Sequence, residues 1–413
     1  MVEQSLHPDT VAVHGGRGDL TALGVHALPI DLSTTNPLPD IERGGDSYEA
    51  MATGGRPIED GSLVYGRLWN PTVARFEDAL AEMEHAEASV AFSSGMAAMT
   101  AVILAHISAA GKRHVVAVRP LYGGTDHLLG SGLLGTETTY CHPSEVGVSI
   151  RPDTGLVVVE TPANPTLELV DIAAVVASAG DVPVVVDNTF ATPILQNPLD
   201  HGATMSLHSA TKYLGGHGDV IAGVVACGEQ TAEALRRVRA VTGGLLHPLG
   251  AYLLHRGLTT LPVRMRQQQQ NAQQLVQWLI DQPEIDEVFF PFDRLRDRLD
   301  GDPQGILERQ MRGTGAMIAI RMREGYAAAS AVVSAVGLFT HAVSLGGVDS
   351  LIQHPAALTH RPVPAEARPD AGVLRLSIGL EDAGDLIADL AQAFARLNSA
   401  VGAAASRSRP AAD

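Results

Sequence analysis

The sequence predicts an α/β protein, with a large domain on a mostly parallel sheet followed by a smaller C-terminal α+β domain. Three observations carry this. Short apolar runs at Ala88 to Phe92, His114 to Val118, Leu156 to Glu160, Val182 to Asp187, Thr204 to His208 and Val220 to Cys227 alternate with helix-like or glycine-rich connections. Gly95, Tyr122, Asn164, Asp187 and Lys212 fall at or just after the ends of such runs, where open α/β sheets keep their sites. Beyond Leu261 the character changes to a polar, Gln-rich helix at Arg264 to Asp281. It is followed by β-like segments at Met317 to Arg321 and Val373 to Ile378 and a helix from Asp382 to about Leu397.

Residues 1–63 are rich in Gly, Pro, Asp and Thr with little periodicity. They are expected to form an extended arm, and long irregular segments of this kind are often interaction elements. The large domain is expected over 64–261, the smaller over 262–398, and a flexible Ala/Ser/Arg/Pro tail over 399–413. Pro71 to Glu84 reads as a helix because Val73, Phe76, Leu80 and Met83 share one face. The run Ala88 to Phe92 leads into Ser93-Ser94-Gly95-Met96 and then an alanine-rich helix to about Ala110. That strand, turn and helix aim the N–H groups of Gly95 and Met96 at one spot where a phosphate can sit.

A chain of 413 residues exceeds the usual size of one domain. Its 29 basic and 46 acidic side chains leave a net charge of −17, a field that repels nucleic acid and anionic membrane. Cys141 and Cys227 are the two cysteines, too few for a disulfide framework and without metal-ligand spacing, so no metal is expected. There is no apolar stretch approaching ~20 residues and no basic-then-apolar leader, which makes a cytoplasmic protein the expectation.

Ser206 to Asp219 is the stretch to which the other motifs relate. Lys212 is flanked by the Ser209 and Thr211 hydroxyls and followed by Gly215, Gly216 and Gly218. A buried lysine of this kind forms a Schiff base with a carbonyl, because burial or a neighbouring cation frees its amine. On its own Ser-x-Thr-Lys reads first as a surface lysine before a glycine turn. Upstream, however, the run at Val182 ends on Asp187, a carboxylate suited to pairing with a pyridinium nitrogen.

These residues resemble the fold-type I pyridoxal-phosphate enzymes of the Cys/Met metabolism family, which includes cystathionine γ-lyase, cystathionine γ-synthase and methionine γ-lyase. The resemblance runs from about Tyr65 to about Leu380. It implies pyridoxal 5'-phosphate on Lys212, with Lys212 also moving protons and Asp187 at the ring nitrogen. Gly95, Met96, Ser209 and Thr211 match the phosphate grip, and Tyr65 and Arg67 match a pair that reaches the neighbouring subunit's cofactor. Tyr122 matches the tyrosine over the ring and a proton donor to the leaving group. Asn164 matches the residue by the ring's phenolic oxygen, with Glu160 behind it. Arg375, with Ser344 and Asn164, matches the clamp on the substrate's α-carboxylate, a task suited to a planar two-pronged donor. The family's habit further implies a homotetramer with shared sites and an arm packed on a neighbour.

The implied reaction is γ-elimination on a small-molecule sulfur amino acid, methionine or cystathionine, giving a 2-oxo acid, ammonia and a thiol. The nearest alternative is γ-replacement on an O-acylhomoserine, and a more distant one is a non-catalytic cofactor-binding scaffold. The sequence departs from the family at several places. His127 stands near the usual distal-carboxylate arginine, and Val64 stands where an acid often precedes the tyrosine. Gly124 replaces the cysteine typical of methionine γ-lyases, and Asp349 replaces a common glutamate. Leu68-Trp69 and Phe292 to Arg294 are expected to reshape the entrance, with packing alone as the alternative for Trp69.

Overall fold

Strands buried on both faces place the large sheet at the centre of three layers. The computed structural model describes residues 6–291 and 303–407. Its large sheet contains β1 (Ala88–Phe92), β2 (His114–Val118), β3 (Glu137–Cys141), β4 (Thr154–Glu160), β5 (Val184–Asp187), β6 (Met205–His208) and β7 (Gly223–Cys227). The spatial order is β1-β7-β6-β5-β4-β2-β3. Only β7 runs antiparallel to its neighbours. Val115, Ala117, Leu156 and Val158 face one core, while Val116, Val118, Val157 and Val159 face another. That two-sided apolarity is why these strands read as continuous runs instead of alternating ones.

The smaller sheet contains β8 (Ile285–Phe289), β9 (Met317–Met322), β10 (Thr340–His341), β11 (Leu351–Gln353) and β12 (Val373–Ser377), in the order β10-β11-β12-β9-β8. The helix Leu261–Leu279 opens this half of the chain. One apolar cluster nevertheless runs from Val11 and Phe76 through Leu254 and Leu275 to Leu376 and Phe394. The two sheets therefore share a core.

Two expectations are corrected here. Residues 1–63 are not an irregular arm, since they carry helices at Pro8–His14, Leu20–Leu23 and Ile41–Ala52. The last was hidden because its buried face is Gly44, Ser47 and Met51, too small and polar to register as an apolar stripe. Val11 and Ala12 enter the main core, and His255 Nε2 lies 2.9 Å from the Gly15 carbonyl. At the other end the final helix spans Ala383–Arg407, about a further ten residues, because alanine is the best helix former. Phe292 to Arg294 and residues 408–413 lie outside the described residues. No described helix is long and apolar enough to cross a membrane.

After β6 the chain turns through Ser209 to Gly216, with Lys212 N–H donating to the Ser209 carbonyl at 3.1 Å and Gly216 N–H to the Lys212 carbonyl at 2.7 Å. Gly216 holds φ +73°, and a Cβ there would strike the guanidinium of Arg264. Buried Arg264 donates to the carbonyls of Tyr213 at 2.9 Å and Gly257 at 2.8 Å, fixing the turn from below. Gly216→Ala is expected to lose about 2–3 kcal/mol from backbone strain and displacement of Arg264, measured as a lower denaturation midpoint with an unchanged slope.

Candidate active site

The carboxyl ends of β4, β5 and β6 and the loop before β11 enclose a cavity of about 330 Å³. Lys212 projects into it, and its Nζ donates to Ser344 Oγ at 2.7 Å. Burial and the Arg375 charge pull the ammonium down to about 8, against the opposing pull of Asp187. The amine is thus far more readily neutral than an ordinary lysine. Ser344 sits at φ +87°, a strained conformation for a side-chain-bearing residue. It presents its hydroxyl to Lys212 and its carbonyl to Arg375.

Asp187 ends β5, and its Oδ1 accepts from Thr189 N–H at 3.1 Å and Thr189 O–H at 2.5 Å. Thr189 Oγ1 in turn accepts from Ser209 N–H at 2.9 Å, which ties the aspartate to the lysine loop. Burial raises the Asp187 carboxyl above the usual range, while the Thr189 bonds and the His208 and Lys212 charges pull it back. Beside it Glu160 accepts from Tyr122 N–H at 2.6 Å and Asn164 N–H at 2.8 Å. Burial and the Asp187 charge raise Glu160 to about 8.

At the opposite end Ser94 caps the helix Gly95–Ala110 by accepting from Ala97 N–H. The N–H groups of Gly95 and Met96 precede the first intrahelical bonds and remain available to an anion. A Cβ at Gly95 would sit 3.0 Å from that of Ser209, closer than an ordinary contact, so glycine lets the two turns approach. The Thr211 hydroxyl donates to the Ala222 carbonyl and accepts its N–H. It closes the loop, and Ser209 supplies the freer hydroxyl. Arg375, on β12, donates to Asn164 Oδ1 at 3.0 Å, to the Ser344 carbonyl at 2.8 Å and to Gln353 Oε1. Its buried Nε has no partner among the described residues, a desolvated donor that a carboxylate satisfies. Burial lowers this guanidinium to about 10.

Lys212, Asp187, Asn164, Tyr122, Ser209, Thr211, Gly95, Met96, Ser344 and Arg375 thus converge on one cavity. Tyr65 and Arg67 do not line it. Tyr65 is exposed, and the Arg67 guanidinium lies 5.5 Å from the Tyr65 ring centroid and donates to the Ala240 carbonyl. His127 is exposed and also outside the cavity. Leu68 and Trp69 pack with Met51 and Ala240, so on this chain they serve packing and do not shape the entrance. Gly124 leaves room for Tyr122, because a Cβ there would come 2.5 Å from the ring. Gln353 was missed by sequence reading. Its signal is the β11–β12 register, which sets it opposite Arg375, and register is invisible before strands are paired.

An α/β sheet that presents an easily neutralised lysine, strand-end carboxylates and a helix-capped anion cradle defines an enzyme working through a phosphorylated aldehyde cofactor. The chain belongs to the Cys/Met metabolism PLP-dependent enzyme family, whose model matches residues 9–395. The L-methionine gamma-lyase of Brevibacterium sandarakinum is 59% identical over 392 residues, 94% of this chain and 98% of that protein. That of Streptomyces avermitilis is 53% identical over 409 residues, 98% of this chain and 93% of its own. The crystal structure of cystathionine gamma-lyase from Lactobacillus plantarum complexed with L-serine superposes with TM-score 0.84 at 33% identity, covering 94% of this chain and 99% of that one.

Lys212 modification by a small aldehyde followed by reduction should increase with pH through about 8. An ordinary lysine at pH 8 is neutral in roughly one molecule in 300. A reaction midpoint near that of surface lysines would contradict the buried-amine assignment.

Proposed function

We propose that this protein catalyses pyridoxal-phosphate-dependent γ-elimination on a sulfur amino acid, with methionine as the preferred substrate, giving a 2-oxo acid, ammonia and a thiol. One observation carries the preference. Met96, Phe190, Ile221, Val343 and Leu345 are among the residues lining the cavity, an apolar surface that suits a thioether and offers no charge to a second carboxylate. The names of the similar proteins point the same way.

Bound pyridoxal 5'-phosphate supplies an electron sink for negative charge developing beside the amino group. Arg375 fixes the α-carboxylate through its unpartnered Nε, and Asn164 and Gln353 hold the guanidinium in place. Lys212 takes the proton from Cα and moves protons at Cβ, as its lowered ammonium pKa allows near neutral pH. Ser344 keeps the amine on the substrate side. Asp187 holds a proton at the ring nitrogen. Tyr122 covers the ring and delivers a proton to the departing sulfur.

Gly95, Met96 and Ser209 hold the phosphate, and Thr211 closes the loop beside them. Lys212 and Arg375, the cavity's basic side chains, are already engaged elsewhere. Tyr65 and Arg67 of a second copy are therefore proposed to complete the grip, in a homotetramer acting in the cytoplasm. Exposed apolar residues of the N-terminal segment, Leu23, Val25, Ile30, Leu32 and Ile41, support that packing.

The purified, cofactor-loaded protein should release 2-oxobutanoate from L-methionine faster than from L-cystathionine. Thioether formation from an O-acylhomoserine and cysteine, with no release from methionine, would instead establish a synthase. Lys212→Ala should abolish covalent cofactor attachment and lower turnover by about 10³-fold or more while keeping the fold by circular dichroism. Hybrids of Arg67→Ala and Lys212→Ala subunits should regain activity that neither parent has. Verified hybrids without any recovery would rule out shared sites.

A further inference from the structure

Glu160 and Asp187 end neighbouring parallel strands and are direct partners in register. Their side chains share one face and line the same cavity. Two carboxylates paired in register, with Glu160 buried and Asp187 half-buried, do not both ionise readily. Their hydrogen bonds differ in a way that decides where a shared proton sits. Both oxygens of Glu160 accept backbone N–H groups, from Tyr122 and Asn164, a pattern that favours the carboxylate. Asp187 spends Oδ1 on Thr189, and among the described residues its Oδ2 has no hydrogen-bond partner.

We propose that before the cofactor arrives Glu160 and Asp187 hold one proton between them, on Asp187 Oδ2, and that Asp187 delivers it to the ring nitrogen on docking. The inference rests on the reading above that Asp187 faces that nitrogen. In the step the O–H bond of Asp187 breaks and its electron pair stays on the carboxylate, while the nitrogen lone pair forms the new N–H bond. The pair goes from −1 to −2 and the ring nitrogen from neutral to +1, so charge balances. A ring that arrives already protonated sends the pair's proton to solvent instead.

Glu160 is thus a positioning residue with two tasks. It staples the turns bearing Tyr122 and Asn164 to β4, and its negative charge keeps Asp187 protonated until a cation replaces the proton. Other groups act on the pair. Arg375 lies within electrostatic reach of Glu160, and Tyr122 is bonded to it through its backbone. His208 and Lys212 act on Asp187, with the Thr189 hydroxyl bonded to it. Burial raises both carboxyls, which agrees with one proton retained by the pair near neutral pH, and the hydrogen bonds decide which of the two carries it.

The probe is pyridoxine 5'-phosphate, which has the ring nitrogen but no aldehyde and leaves Lys212 chemistry out of the measurement. Infrared difference spectra of the wild-type protein at pH 7 should show a protonated-carboxyl band that disappears when the probe binds. Asp187→Asn should lack the band and bind the probe at least about tenfold more weakly. Between pH 6 and about 8, the wild-type dissociation constant divided by that of Glu160→Gln should fall about tenfold per pH unit and then level off, because only the wild type gives up the pair's proton. A bound probe with no carboxyl band lost in the wild type would overturn the shared proton, whether or not Glu160→Gln folds. Unchanged probe binding by Asp187→Asn would overturn the placement of Asp187, and this inference with it.

Discussion

The site depends on charge being desolvated at the carboxyl edge of the large sheet. Lys212, Asp187, Glu160 and Arg375 are brought together where water is scarce, and each is displaced from its ordinary ionisation as a result. Burial alone would be costly. The structure offsets it with short-range bonds: Ser344 to the lysine, Thr189 to the aspartate, two backbone N–H groups to the glutamate, and Asn164 and Gln353 to the arginine. The surrounding fold can be read as the framework that keeps those partners in register.

A second layer of buried polar groups lies under the first. His208 pairs with Glu84, and Asn188 donates to Glu84 at 3.2 Å and to the Gln196 carbonyl at 2.9 Å. Gln196 is then bonded by Gln310 at 2.9 Å. This network joins the residues immediately flanking Asp187 and Ser209 to the helix Pro71–Met83 and to the C-terminal half. Glu84 Oε2 and His208 Nδ1 are left without a partner among the described residues, so the network is only partly satisfied, and the bonds it does make tie together the strand ends that bear Asp187 and Ser209.

Much of this was legible in the sequence, for physical reasons. Strands buried on both faces must be continuous apolar runs, and those runs marked β1, β2, β4, β5 and β6 closely. Residues chosen for chemistry at their ends, from Gly95 to Lys212, did converge. Local patterns could not reveal features that depend on pairing or on small side chains. Gln353 takes its place from strand register. The helix Ile41–Ala52 hides behind Gly44 and Ser47. Tyr65 and Arg67 do not line the cavity of their own chain, in keeping with a resemblance that assigns them to a neighbouring subunit's site. Leu68 and Trp69 looked like entrance residues, yet their neighbours are apolar core.

The shared apolar cluster has a consequence for how the chain is made. Its members run from Val11 to Phe394, and the helix Leu261–Leu279 lies against the helix Ala383–Arg407, so the former leaves the ribosome lacking some of the partners that cover it. Those partners are synthesised later. Until they emerge, a long nascent chain presents an uncovered apolar surface, the circumstance in which chaperone capture competes with aggregation. Splitting the protein into its two sheet-bearing halves would leave each in that unfinished condition permanently.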